Sequence, residues 1–181
     1  MRVVLTGGTC TGKSTLLNEL ARMGYSVVPE CARRVIEQQG GRKGWTTFDD
    51  MERKMFTLQL EEEKKLDKIE DEVGLVFLDR GQPDYPGYCL EYTGEIPEWM
   101  KPHMPMDNLY DAVFVLDFVP YRTDAIRFEN ADQARAIHHR IIQSYWDNGY
   151  QLTFVPFIPV ENRATYILHK LKDWYGSSIL R

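Results

Sequence analysis

Five short apolar runs punctuate the chain, at Arg2–Thr6, Tyr25–Val28, Leu75–Leu78, Ala112–Leu116 and Leu152–Val155. Several are unbroken rather than alternating, as in parallel strands buried on both faces. Between them, apolar residues recur at spacings of three and four, the helical period. Strand and helix patterns in alternation predict an α/β fold, a parallel sheet covered by helices on both faces.

The helical stretches carry their own punctuation. The first ends near Met23, with Gly24 suited to the left-handed position beyond it. A second runs from about Glu30 to Gly40-Gly41. A third, long helix starts at Thr46 or Thr47, either able to cap it, and places Phe48, Met51, Met55, Leu58, Leu66, Ile69 and Val73 on an apolar stripe. Its remainder, including Glu61-Glu62-Glu63-Lys64-Lys65, reads as a solvated face. Asn130-Ala131-Asp132-Gln133 has the form of a capping box and opens a helix to about Asn148, stopped by Gly149. A last helix covers Glu161 to Trp174. Two stretches resist the scheme. Residues 81–108 are rich in Pro, Gly and aromatics and read as a binding loop or lid. Residues 118–129 separate a strand from the capped helix and carry Arg122 and Arg127.

With 181 residues, no repeat and no linker, the chain reads as a single domain over residues 1–181. A net charge of −5 argues against broad attraction to nucleic acid or to an anionic membrane. No apolar stretch approaches the roughly 20 residues of a membrane span. The first strand begins at once, so no signal peptide is expected. Cys10, Cys31 and Cys89 are scattered and odd in number, which fits a reducing, cytoplasmic compartment. The expected partner is a small molecule, with no nucleic acid and no membrane; the oligomeric state stays open.

The chemistry centres on Gly7-Gly8-Thr9-Cys10-Thr11-Gly12-Lys13-Ser14, an unbroken G-x-x-x-x-G-K-[ST] phosphate-binding loop between a strand and a helix. Glycines at 7 and 12 allow backbone conformations closed to residues with a Cβ. Loop N–H groups then converge on phosphate oxygens at a positive helix end. Nucleotide contacts are expected from Gly8, Thr9, Cys10, Thr11, Gly12, Lys13, Ser14 and Thr15. Lys13 is expected on the β- and γ-phosphates of ATP, and Ser14 on Mg²⁺. Asp79 ends the run Val76-Phe77-Leu78, the Walker B pattern of a second Mg²⁺ ligand.

Ligands of open α/β sheets bind beyond the carboxyl ends of the strands. Glu30, Asp79, Arg80 and Asp117 follow such ends and are expected around one crevice. Glu30 is placed to take a proton from an acceptor hydroxyl, or simply to favour a helix start. Arg33 and Arg34 orient substrate or pair with surface acids. Arg80 is a candidate for phosphate or substrate contact. Arg122 and Arg127 are candidates to close over the transferring phosphoryl group. Trp45, Tyr85, Tyr88, Tyr92 and Trp99 either wall an aromatic substrate slot or form the core of an irregular insert. His138-His139 shows no metal-ligand spacing and reads as helix surface.

The segments GGTCTGKST (7–15), VVPECARR (27–34), LDRGQPDYPGY (78–88), YRTDAIRFEN (121–130) and the GY–strand–VP segment at 149–156 together resemble one family. It is the AAA P-loop ATPase family related to the ribosylnicotinamide kinase domain of bacterial NAD-biosynthesis regulators. A looser resemblance links the chain to deoxyribonucleoside kinases, in which Val-Val-Pro-Glu carries the catalytic base and an acid-Arg-Ser segment a substrate-side Arg. Glu30 and Arg80 occupy those positions, with Asp79 for that family's Glu and Gly81 for its Ser. The resemblance implies a three-layer P-loop fold of nucleoside-monophosphate-kinase type, strand order 2-3-1-4-5, with a lid after Leu116. It also places Asp84 and Tyr85 with Glu30, Arg33, Arg34 and Arg80 on the substrate side. The function expected is a small-molecule kinase that uses ATP and Mg²⁺ on a nucleoside- or riboside-like hydroxyl. The competing expectation is a nucleotide-dependent switch that binds a protein partner. No Asn-Lys-x-Asp motif is present, which favours adenine over guanine.

Overall fold

The computed structural model describes residues 1–30, 47–67, 74–119 and 130–180. Strands β1 (Arg2–Thr6), β2 (Ser26–Val28), β3 (Val76–Asp79), β4 (Ala112–Leu116) and β5 (Leu152–Val155) form one sheet in the order β2-β3-β1-β4-β5. Every pairing is parallel. All the carboxyl ends therefore lie along one edge, in the order the resemblance implied. Around the sheet lie α1 (Lys13–Arg22), α2 (Phe48–Asp67), α3 (Asp84–Tyr92), α4 (Ala131–Asp147) and α5 (Val160–Tyr175).

Strand alternation divides the core. Val3, Leu5, Phe77 and Phe114 face Leu16 and Leu20 of α1 and Ile167 and Leu171 of α5. Val4, Leu78 and Val113 face Ile137, Ile141 and Tyr145 of α4, with Tyr88 of α3. Phe77, Phe114 and Leu5 are fully buried, each contributing about 1.5–3 kcal/mol relative to exposure. This double cover explains the unbroken apolar runs.

The helix starts follow their caps. Thr47 Oγ1 accepts from Asp50 N at 3.1 Å ahead of α2. Asn130 Oδ1 accepts from Asp132 N and Gln133 N, and Gln133 Oε1 accepts from Asn130 N, so the capping box is complete. The helix expected from Glu30 to Gly41, and the far end of the long helix with Ile69 and Val73, lie outside the described residues.

Two expectations need correction. Residues 81–108 are not simply a loop: they contain α3, whose Tyr85 and Cys89 pack with Met51, Met55 and Phe56 of α2 and with Met100 and Met106. Pro86 falls in the first turn of α3, where a proline gives up no helical hydrogen bond. Gly87 lets α3 press on α4, since a Cβ there would lie 2.8 Å from Ile141 N. Glu63 is not part of a solvated face; it is 3% exposed and points inward. No helix among the described residues is long and apolar enough to cross a membrane.

Candidate functional site

The loop between β1 and α1 owes its shape to backbone that turns left-handed at Cys10 (φ 59°) and Gly12 (φ 78°) and to Gly7 at φ 129°. Gly12 is the N-cap of α1, which has no side-chain cap and no acid in its first turn. The first-turn N–H groups are thus left for an anion. Lys13 folds over the loop: its Nζ donates to Gly7 O and Gly8 O at 2.8 Å and to Thr11 Oγ1 at 3.2 Å. Thr9 Oγ1 is buried with no partner among the described residues. The loop is anchored from outside at three points. Val119 N donates to Cys10 O at 2.9 Å, Arg163 Nη1 to Thr11 O at 3.1 Å, and Gly8 N to His138 Nδ1 at 3.1 Å.

Beside the loop lies an acid from β3. Ser14 Oγ donates to Asp79 Oδ2 at 3.0 Å, while Asp79 Oδ1 is buried without a partner among the described residues. Burial and the nearby Glu30 charge push the Asp79 carboxyl up to about 6, against the pull of Lys13, Arg80 and the Ser14 hydroxyl. Burial and Arg80 push the Lys13 ammonium down to about 8, although Asp79, Glu30 and Asp84 oppose that. The Ser14 hydroxyl and the Asp79 carboxylate, one of whose oxygens has no partner among the described residues, are the hard oxygen donors that suit Mg²⁺. No group of three or more His, Cys, Asp or Glu among the described residues is placed so as to hold a metal ion by itself. A divalent ion at Ser14 and Asp79 would therefore complete its shell from phosphate oxygens and water.

Arg80, the next residue, joins this acid to two others. Its Nε donates to Glu30 Oε1 at 2.6 Å, its Nη1 lies 3.5 Å from Asp84 Oδ1, and its guanidinium sits 4.8 Å above the Tyr88 ring. Burial works against the Arg80 charge, but Glu30, Tyr88, Asp84 and Asp79 hold its pKa well above the ordinary value. Asp84 is turned inward: it accepts from Thr6 Oγ1 (2.8 Å), Gly81 N (3.1 Å) and Tyr145 OH (2.6 Å). Behind Arg80, Glu63 accepts from Gln59, Gln82 and Tyr110. Burial raises its pKa despite those bonds.

Lys13, Ser14, Glu30, Asp79, Arg80 and Asp84 are thus brought together at the carboxyl edge of the sheet. Thr15 is exposed on α1. Asp117 is exposed, and its Oδ1 accepts from Phe118 N. Arg33, Arg34, Arg122 and Arg127, with Trp45, lie outside the described residues. Tyr85 and Tyr88 are buried, with Tyr85 OH donating to Met55 O at 3.3 Å. Trp99 Nε1 donates to Asp49 Oδ1 at 2.8 Å. Tyr85 and Trp99 pack in the cluster of the insert, whereas Tyr88 packs between the sheet and α4 and lies under the Arg80 guanidinium.

His138 corrects the reading of His138-His139 as helix surface. His139 is exposed, but His138 is 7% exposed and packs on Phe118 with ring centroids 4.7 Å apart. Burial, Lys13 and His139 lower its pKa to about 4. Its signal was available: Ala134, His138, Ile141 and Tyr145 are spaced as one helix face.

Among curated proteins, none matches the chain. Solved structures do. A NadR protein in complex with NAD and AMP-PNP aligns with a TM-score of 0.73 at 20% identity, covering 99% of this chain and 51% of that one. Deoxyadenosine kinase from M. mycoides aligns with a TM-score of 0.64 at 17% identity, over 96% of this chain and 100% of that one. Shikimate kinase from Aquifex aeolicus aligns with a TM-score of 0.55 at 18% identity, over 98% and 100%. These likenesses establish a shared P-loop kinase fold and bear out both resemblances. The family model described as AAA domain matches residues 2–163, most of the chain, and the chain belongs to that family.

Proposed function

We propose that the protein binds ATP·Mg²⁺ and transfers the γ-phosphoryl group to a hydroxyl of a small nucleoside- or riboside-like metabolite. The observation that carries this reading is the Glu30–Arg80 pair, held at 2.6 Å next to the phosphate loop and the Ser14–Asp79 pair. Lys13 turns from Thr11 Oγ1 to the phosphate oxygens while Gly7 O keeps hold of it, and Ser14 and Asp79 hold the metal. Mg²⁺ at that position supplies charge to offset the phosphate oxygens. Glu30 takes the proton of the acceptor hydroxyl as its oxygen bonds to phosphorus and the bond to the ADP oxygen breaks. Arg80 fixes the orientation of Glu30. Arg33 and Arg34 are the candidates for acceptor contact and Arg122 and Arg127 for offsetting charge on the phosphoryl group; all four lie outside the described residues. Positioning and electrostatics supply most of the rate.

The kinases among the solved structures support this reading through fold, and the deoxynucleotide product bound in deoxyadenosine kinase suggests a nucleoside as the acceptor class. The test is transfer of radiolabelled γ-phosphate from ATP to a panel of nucleosides and ribosides. A phosphorylated product lost in Glu30→Ala is the expected result. Nucleotide-dependent capture of a protein partner, with no transfer to any small acceptor, replaces it with the switch.

A further inference from the structure

The peptide between Gly7 and Gly8 is gripped on both of its polar atoms. Its C=O, from Gly7, accepts from Lys13 Nζ at 2.8 Å. Its N–H, from Gly8, donates to His138 Nδ1 at 3.1 Å. A Gly-Gly peptide turns over more easily than any other, because neither neighbour has a Cβ to resist rotation. Gly7 already sits at φ 129°. If this peptide turned, the loop would lose a carbonyl that holds Lys13 and would bury an N–H with no acceptor.

His138 is built for that contact. It lies two turns into α4, facing the loop rather than solvent, and its ring is backed by Phe118. The helix passes so close that a Cβ on Gly8 would lie 2.8 Å from Ala134 O and 3.1 Å from His138 Cβ. Nδ1 must be unprotonated to accept, so the ring proton sits on Nε2.

We propose that His138 is a positioning residue for the nucleotide site: it fixes the Gly7–Gly8 peptide, and through that peptide the ammonium of Lys13. The inference rests on the reading of residues 7–14 as a nucleotide site, not on the identity of the acceptor. It ties phosphate binding to α4, the helix that follows the arginine-bearing segment.

The test pairs two substitutions. His138→Asn keeps an acceptor at the same branch of the side chain; His138→Leu fills the space without one. Isothermal titration with ATP·Mg²⁺ should show affinity within about twofold of wild type for Asn and a loss of about tenfold for Leu. Equal losses in both variants, or wild-type affinity in His138→Leu, overturn the inference. If His138→Leu does not fold, ¹⁵N NMR of the wild-type protein decides. An Nδ1 that is unprotonated at neutral pH and shifts on adding ATP·Mg²⁺ supports the assignment; a protonated or unresponsive Nδ1 overturns it. Wild-type protein that binds no ATP·Mg²⁺ removes both this inference and the nucleotide site beneath it. Retained wild-type binding with no effect of His138→Leu removes this inference alone.

Discussion

The Ser14 hydroxyl stands 3.0 Å from Asp79 Oδ2, and the other oxygen of that carboxylate is buried with no partner among the described residues. A buried carboxylate oxygen without a donor is costly unless a cation meets it. Asp79→Asn keeps the shape and removes the charge. For wild type, ATP with Mg²⁺ at about a hundred times Kd should raise Tm by about 5–10 °C. In Asp79→Asn the gain from adding Mg²⁺ to ATP should vanish, while the ligand-free protein melts no lower than wild type. Differential scanning fluorimetry with and without EDTA checks both.

The two shifted groups bracket a pH window. The Asp79 carboxyl, at about 6, is raised, so its contribution to ligand-free stability is present at low pH and is lost as pH rises through about 6. The Lys13 ammonium, at about 8, is lowered, so the folded protein gives up that proton before the unfolded chain does. ATP·Mg²⁺ calls for both groups charged. Affinity should be highest between about pH 6 and about 8 and fall on either side. Near pH 6 binding should release a proton from Asp79; near pH 8 it should take one up at Lys13. Calorimetry in buffers of different ionisation enthalpy measures the sign directly.

Gly81, which the resemblance sets against a Ser of deoxyribonucleoside kinases, stands too close to two tyrosines for a side chain. A Cβ there would lie 2.8 Å from the Tyr110 ring and from Tyr145 Oη. Gly81→Ser should destabilise the fold by about 1–3 kcal/mol through overpacking. Urea denaturation measures it. Adding Tyr145→Phe should recover part of the loss, since the two changes share one contact.

Arg80 bridges Glu30 and Asp84, and its removal leaves both acids short of a partner. Arg80→Met should cost about 3–5 kcal/mol, the range for breaking a buried ion pair. Arg80→Lys should restore little, because a point charge cannot serve two acids as a planar fork does. Denaturation midpoints for the two variants decide it. Comparable midpoints for Arg80→Met and wild type would remove Arg80 from the frame of the site.

Much of this was readable along the chain. Runs such as Val76-Phe77-Leu78 announced buried strands because both sheet faces are covered. The loop glycines announced a backbone only glycine takes easily. What could not be read depended on contacts distant in sequence. The α3 helix was hidden by Pro86 and Gly87, whose meaning comes from a first turn and from Ile141 pressing close. Glu63 sat inside a charged run and looked solvated, yet Gln59, Gln82 and Tyr110 draw it inward. Asp84 was placed by resemblance on the substrate side; its partners Thr6 and Tyr145 are 78 and 61 residues away. No local pattern reports such a pairing.

One backbone angle sets a limit on engineering. Arg80 lies at φ 77°, a conformation that costs a side-chain-bearing residue about 1–3 kcal/mol. Glycine would relax it, and with it would go the guanidinium on which Glu30 leans. The ion pairs lost with it, about 3–5 kcal/mol, outweigh that relief, so a library screened for heat tolerance and one screened for turnover should both keep arginine. Robustness and chemistry therefore hold a single codon in the same place, with the strained angle as the tolerated cost.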